Sequence, residues 1–199
     1  MTNAFLVGKK TILRPVTLAD VPLVTEWINN PVTRNYLYSR TPKSDIGEKT
    51  WVEKIGNSQE SHPSDIVMMI ETKRGGHTIG TMGLHGINWI DRHVSTGSMI
   101  GNPEYRGKGY ASDAKMAVLK YAFETLGMHK VISHAFEDNT ASVEYSKRCG
   151  YIVEGVLKEQ IFHSGVWKDL IVLACFYPDW KKAQSKVNNK TSNIRVKNK

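Results

Sequence analysis

The segment Gly101-Asn102-Pro103-Glu104-Tyr105-Arg106-Gly107-Lys108-Gly109-Tyr110-Ala111 joins a strand to a helix through a glycine-rich turn, and this junction constrains the fold more than any other stretch. Upstream, Val94 to Ile100 is a half-apolar run of strand length. Downstream, Ala111 to Leu126 places Ala114, Met116, Ala117, Val118, Tyr121, Ala122 and Leu126 largely on one helical face. The glycines therefore stand at a helix N-terminus, where unpaired N–H groups and the positive end of the helix dipole favour an anion. Without Cβ atoms at Gly107 and Gly109, a pyrophosphate can approach the backbone closely. The turn has no Gly-Lys-Ser/Thr ending of a P-loop and no third glycine of a dinucleotide fingerprint.

The rest of the chain alternates strands and helices. Thr11 to Leu13 reads as a strand, Asp20 to Asn30 as a helix stopped by Pro31, and Ser44 to Gly56 as a helix capped by Ser44 or Asp45. Ile66 to Thr72 and Thr78 to Leu84 flank a hairpin turn at Lys73-Arg74-Gly75-Gly76, and Val94 to Gly101 is the next strand. The helix over 109–126 ends at Gly127, and Lys130 to Phe136 is a β-branched and aromatic strand. A helix over 140–149 has Asn139 as N-cap, Lys147 and Arg148 in its last turn, and Gly150 placed for a left-handed cap. Tyr151 to Phe162 and Lys168 to Phe176 form a final pair. This order predicts an α/β (α+β) fold, a mixed sheet with helices on its faces, in one domain over residues 1–180.

At 199 residues and 40% hydrophobic, the chain is long enough for a sizeable core. No apolar run reaches the roughly 20 residues of a membrane span, and the N-terminus lacks the pattern of a signal peptide, so a cytoplasmic protein is expected. Cys149 and Cys175 are isolated, with neither metal-ligand spacing nor a disulfide framework, and read as buried thiols. Of the net charge of +8, seven positive charges lie in residues 181–199, which carry no acid. That segment reads as a flexible basic tail, either a solubilising end or a weak contact for RNA or the ribosome through counterion release.

The spacing Arg106-x-x-Gly109-x-Ala111 resembles the Gln/Arg-x-x-Gly-x-Gly/Ala signature of the GNAT superfamily of acyl-CoA-dependent N-acetyltransferases. Asn139-Thr140-Ala141-Ser142, followed by Cys149-Gly150-Tyr151, resembles the family's second cofactor motif. Leu13-Arg14-Pro15, Asp20, Trp27 and Asn30-Pro31 early on, with Glu154-Gly155, Lys158, Gly165, Trp167 and Asp169 late, are similar to its ribosomal-protein and spermidine N-acetyltransferase branch. The resemblance spans about residues 9 to 178. It implies a mostly antiparallel sheet of six to seven strands, splayed at its central parallel pair, and acetyl-CoA as donor. By the same resemblance, Arg106, Gly107, Lys108, Gly109, Tyr110 and Ala111 would hold the pyrophosphate, Asn139 and Ser142 would line the cofactor, and Ser98, Met99 and Ile100 would meet pantetheine and the thioester carbonyl.

Direct transfer needs a base for the amine and an acid for the departing thiolate. Many family members use a tyrosine seven residues after the motif asparagine. Here that position is Ser146, with Tyr145 one place earlier, and helix neighbours point about 100° apart. Either Ser146 or a water replaces the tyrosine, or Tyr145 serves. The family glutamate two residues before the strand glycine is Ser95 here, which leaves His85 as the candidate base and Glu26 and Glu159 as fallbacks. The family's acceptor site would be lined here by Trp27, Asn30, Arg34, Tyr36, Tyr38, His163 and Trp167, with few of the carboxylates a polyamine would want. Protein N-terminus and small-molecule amine are both open as acceptors. The departures at Ser95 and Ser146 also leave open a non-catalytic acetyl-CoA-binding or ribosome-associated module. Dimerisation is common in the family, and no residue pattern here decides it.

Overall fold

The computed structural model describes residues 3–56 and 61–186. In chain order the elements are β1 Leu6–Val7, β2 Thr11–Pro15, α1 Val21–Asn29, α2 Pro31–Arg34, α3 Asp45–Gly56, β3 Asp65–Thr72, β4 Thr78–Asn88 and β5 His93–Ile100. They continue with α4 Tyr110–Lys120, β6 Lys130–Phe136, α5 Thr140–Arg148, β7 Ile152–His163, β8 Val166–Phe176 and a closing helix α6 over 177–186. The strands form one sheet in the order β1-β2-β3-β4-β5-β6-β8-β7. Every pairing is antiparallel except β5 with β6. The sheet has eight strands rather than the six to seven expected, because the two residues of β1 pair with β2, a strand too short to register as a period.

Strand β3 is buried on both faces, so its run Met68-Met69-Ile70 reads as continuously apolar. Met68 and Ile70 join a large core with Met82, Leu84, Val118, Leu119, Phe123, Val143 and Trp180, covered by α4, α5 and α6. Met69 joins a smaller core with Val24, Trp27, Val52 and Met99, covered by α1 and α3. The Arg14 guanidinium joins the Asp20 carboxylate at 2.7 Å and Glu71 at 2.5 Å. Two of the residues that carried the family resemblance, Arg14 and Asp20, therefore tie β2 to the start of α1.

The capping expectations are met locally. Ser44 Oγ accepts from the Gly47 amide, Asn139 Oδ1 from the Ser142 amide, and Gly150 adopts φ 101°. An added Cβ at Gly150 would stand 2.8 Å from the Asp179 carbonyl oxygen, so the glycine also lets α6 approach. Within the stretch expected as tail, residues 181–186 are helical: Ala183 is buried and Lys181 donates to Glu124 at 2.6 Å. The apolar anchor is the wholly buried Trp180, just before the basic run. The remaining tail, 187–199, lies outside the described residues. Both cysteines are buried free thiols. No helix among the described residues is long and apolar enough to cross a membrane.

Candidate functional site

The glycine turn leads into α4 as expected. Gly107 and Gly109 have φ of 70° and 82°, in the left-handed region that favours glycine, and Gly107, Lys108 and Gly109 are exposed. The first amides of α4 have no intrahelical acceptor, and a Cβ at Gly107 would meet nothing within 4 Å. Lys10 Nζ donates to the Lys108 carbonyl at 3.0 Å, adding positive charge to the loop. Asp113, in the first turn of α4, accepts from the amides of Lys9, Lys10 and Thr11 and so fixes the helix to the β1–β2 turn. These features fit a pyrophosphate. The Arg106 guanidinium donates to the carbonyls of Ile100 and Gly101 and to Thr33 Oγ1 at 2.8 Å, bracing the loop against α2.

The parallel pairing of β5 with β6 runs from His93↔Lys130 to Thr96↔Ser133 and stops. Gly97 to Ile100 stay paired with β4 but leave their other edge without a strand partner. That edge belongs to Ser98, Met99 and Ile100, and an extended ligand can add to it as a further strand. Tyr145 crosses the opening from α5, its hydroxyl 2.5 Å from Ser98 Oγ. Ser146 lies deeper, on the core side of α5. It is wholly buried, and its hydroxyl accepts from Lys115 Nζ at 3.3 Å. The two candidates for thiolate acid thus occupy different surroundings, a half-buried phenol at the cleft strand and a hydroxyl in the core.

His85, near the end of β4 before Asn88, pairs across the sheet with Ser95, the position where the family carboxylate was expected. Directly opposed residues share a face, so the imidazole occupies the side from which a carboxylate at 95 would act. Its ring lies over Gly83 and Gly97; Cβ atoms there would stand 2.5 and 3.0 Å from Nε2. Nδ1 lies 3.0 Å from Asp65 Oδ1. Burial alone would raise the Asp65 carboxyl, but bonds from Ser64 and His85 hold it below its ordinary value. Glu26 is exposed on α1, and Glu159 sits at φ 49° in a bulge of β7 with its amide on Asp169.

The proposed acceptor residues divide. Tyr36, Tyr38, Arg40 and His163 surround Phe136 at the end of β6, with ring centroids 5.6 to 6.5 Å apart and the guanidinium 5.4 Å from the ring. Arg34 ends α2 close by in sequence. Trp27 is instead packed in the smaller core against Gly101, Asn30 Oδ1 caps α2 by accepting from Val32 and Thr33, and Trp167 is exposed on the β7–β8 hairpin beside Phe162. Burial, then Arg40 and Lys168, keep the His163 ring below its ordinary basicity. Phe136, Asp65 and Lys115 carry no sequence signal of their own; each meets partners far along the chain, Asp65 through His85. Among the described residues no His, Cys, Asp or Glu cluster could hold a metal.

Residues 10–152 match the family described as an acetyltransferase (GNAT) domain. The spermidine N(1)-acetyltransferase of Vibrio cholerae serotype O1 is 35% identical over 158 residues, covering 79% of this chain and 88% of that protein. The uncharacterized N-acetyltransferase YoaA of Bacillus subtilis is 31% identical over 169 residues, covering 85% and 94%. Among solved structures, spermidine N-acetyltransferase from Vibrio cholerae in complex with CoA and spermine superposes with a TM-score of 0.78 at 24% identity, over 86% of this chain and 98% of that one. With the glycine cradle, the splayed parallel pair and these matches together, the chain belongs to the GNAT acetyltransferases, enzymes that move an acetyl group from acetyl-CoA to an amine.

Proposed function

We propose that His85 and Tyr145 are the base and acid of this transfer, acting on a primary amine that enters between the 30–43 segment and the β7–β8 hairpin. The single observation that carries the reading is the pairing of His85 with Ser95 across β4 and β5, on the same strand β5 whose Ser98 meets the Tyr145 hydroxyl. Acetyl-CoA supplies an activated acyl group whose thiolate is a good leaving group. The cradle at 106–111 would hold its pyrophosphate, with Asn139 and Ser142 beside it. The free edge of Ser98, Met99 and Ile100 would orient pantetheine and offer amide donors toward the thioester carbonyl. Asp65 orients the imidazole, which takes the amine proton directly or through water. Tyr145, half-buried at the cleft strand, gives its proton to sulfur.

The mouth carries Arg34, Arg40 and His163, with Glu48 on α3 buried and its carboxyl raised by burial. That balance supports an acceptor with one reactive amine on an aromatic or anionic body, a protein N-terminus or a small molecule, over a polycation. A polyamine acceptor is the second reading, supported by the acceptor named for the Vibrio cholerae relative. CoA release should be measured with acetyl-CoA and a panel of spermidine, spermine, N-terminal peptides and amino sugars. A kcat/KM for spermidine at least tenfold above every peptide and amino sugar overturns the first reading.

The chain is read as one catalytic domain closed by α6, working in the cytoplasm, where acetyl-CoA is abundant. The edge strand β7 exposes Ile152, Val153, Val156 and Leu157, which supports self-association; a monomer by sedimentation would remove that part. The basic residues beyond 186 are proposed as a weak RNA or ribosome contact, to be tested by truncation after Lys186.

A further inference from the structure

Lys115 is the wholly buried lysine of α4, set among Ala114, Val118 and Leu119. None of the ion pairs among the described residues includes it. Its ammonium is met by two hydroxyls, Ser133 Oγ and Ser146 Oγ at 3.3 Å each, and by two aromatic rings, Tyr145 at 4.4 Å and Tyr151 at 4.7 Å from Nζ to centroid. Burying an ammonium without a carboxylate is expensive, and two cation–π contacts with two hydroxyls offset that only in part. The cage is also one-sided: the Tyr145 ring that covers the cation carries its hydroxyl to Ser98 on the cleft strand.

We propose that Lys115 is a positioning residue for acetyl transfer: its caged ammonium lies against the Tyr145 ring and favours the tyrosinate left when that hydroxyl protonates the departing thiolate. The proposal rests on the reading of Tyr145 as the acid. In the step, the acceptor nitrogen forms a bond to the acyl carbon and the C–S bond breaks. Sulfur leaves with the electron pair and takes the Tyr145 proton, while His85 takes the proton lost by nitrogen. Water then returns a proton from the imidazolium to the tyrosinate. Lys115 transfers no proton in this step and works by charge: a cation attracts a tyrosinate ring more strongly than a neutral one. Ser146, at the position where the family acid was expected, serves here as a support for the cation.

The other titratable groups around the cage stay neutral in the working range. Burial pushes the Cys149 thiol up to about 11 and the Cys175 thiol up to about 12, and raises the Tyr151 phenol well above its ordinary value. Asp113, Arg148 and Asp179 are the charged groups that act on these thiols from outside the cage. The alkaline limb to be followed is the one that Tyr145→Phe removes from the kcat profile.

The test compares kcat against pH for wild type, Lys115→Met, Tyr145→Phe, Ser146→Ala and the doubles K115M/Y145F and K115M/S146A, with melting temperature and CoA affinity measured for each. Lys115→Met should lower kcat about tenfold and move the alkaline limb upward by about one pH unit, with CoA affinity within about twofold. Tyr145→Phe should lose about a hundredfold, and adding Lys115→Met to it should cost less than about twofold further. Lys115→Gln, which keeps donors for the two serines without the charge, should match Lys115→Met and stands in for it if the methionine variant does not fold. Unchanged kcat and limb in both Lys115 variants, with Tyr145→Phe slow, overturns the role of Lys115 alone. Near-normal turnover in Tyr145→Phe overturns the acid assignment beneath it. An effect of Lys115→Met that persists in Tyr145→Phe but vanishes in Ser146→Ala also refutes the proposal, because the cation would then act through the serine.

Discussion

Removing the proposed base should cost more activity than removing any group that only orients it. His85→Gln keeps a donor for Asp65 while removing the basic nitrogen. A positioned base contributes about a hundredfold to ten-thousandfold. The His85 and Asp65 side chains are 44% and 40% exposed, so water can partly stand in, and the expected loss in kcat/KM is near the lower end, about a hundredfold or about 2.7 kcal/mol. In this reading Asp65 orients the neutral ring through an exposed hydrogen bond worth about 1 kcal/mol, so Asp65→Asn should cost no more than about fivefold. Gly97→Ala should fall between them, since the new Cβ would lie 3.0 Å from Nε2 and shift the ring without removing it. The pH dependence adds a sign. An imidazole acts as base only when neutral, so the deficit of His85→Gln should be largest where the wild type is fastest and shrink as pH falls. Asp65, held low by Ser64 and His85, stays ionised across that window. The assay is CoA release followed with a thiol reagent at saturating acetyl-CoA. A His85→Gln enzyme within about threefold of wild type at every pH would refute the assignment.

Two stability predictions follow from packing. Asp20→Asn breaks the buried Arg14–Asp20–Glu71 network and should cost about 3 kcal/mol at neutral pH in urea unfolding. Burial raises the Asp20 carboxyl, but Arg14 and Thr17 hold it below its ordinary value; its contribution is therefore present above that value and lost in more acid solution, and the gap from wild type should close there. A gap that stays constant into acid would contradict the argument. Gly101→Ala would place a Cβ 1.9 Å from the Trp27 ring, so a loss of about 2 kcal/mol and weaker CoA binding are expected; an unchanged melting temperature would show that the ring can move aside.

What was legible in the sequence was local. Gly107, Gly109, Asn139 and Gly150 each announce a backbone conformation or a cap within a few residues, and the structure places all four accordingly. The choice between Tyr145 and Ser146 depends on how α5 is rotated against β5 and β6, which one helical turn of sequence does not specify. Lys115 reads as an ordinary solvated lysine until Ser133, Tyr145 and Tyr151 are brought around it. Asp65 and His85 meet only through the register of β3 with β4. Arg106 fits a phosphate-binding motif by spacing, yet its side chain is directed by the carbonyls that end β5.

The early end of the β5–β6 ladder also bears on how long the protein survives. Backbone groups at the centre of the sheet lack a strand partner there, so acetyl-CoA bound along that edge, as proposed, would complete the sheet as well as supply the acyl group. A ligand present at a hundred times its dissociation constant contributes about 2.7 kcal/mol to folding. That is a substantial share of the marginal stability of a domain this size. Resistance to heat and to proteolysis should therefore rise and fall with the acetyl-CoA and CoA around it, and a cell short of both would hold this enzyme in its most degradable form.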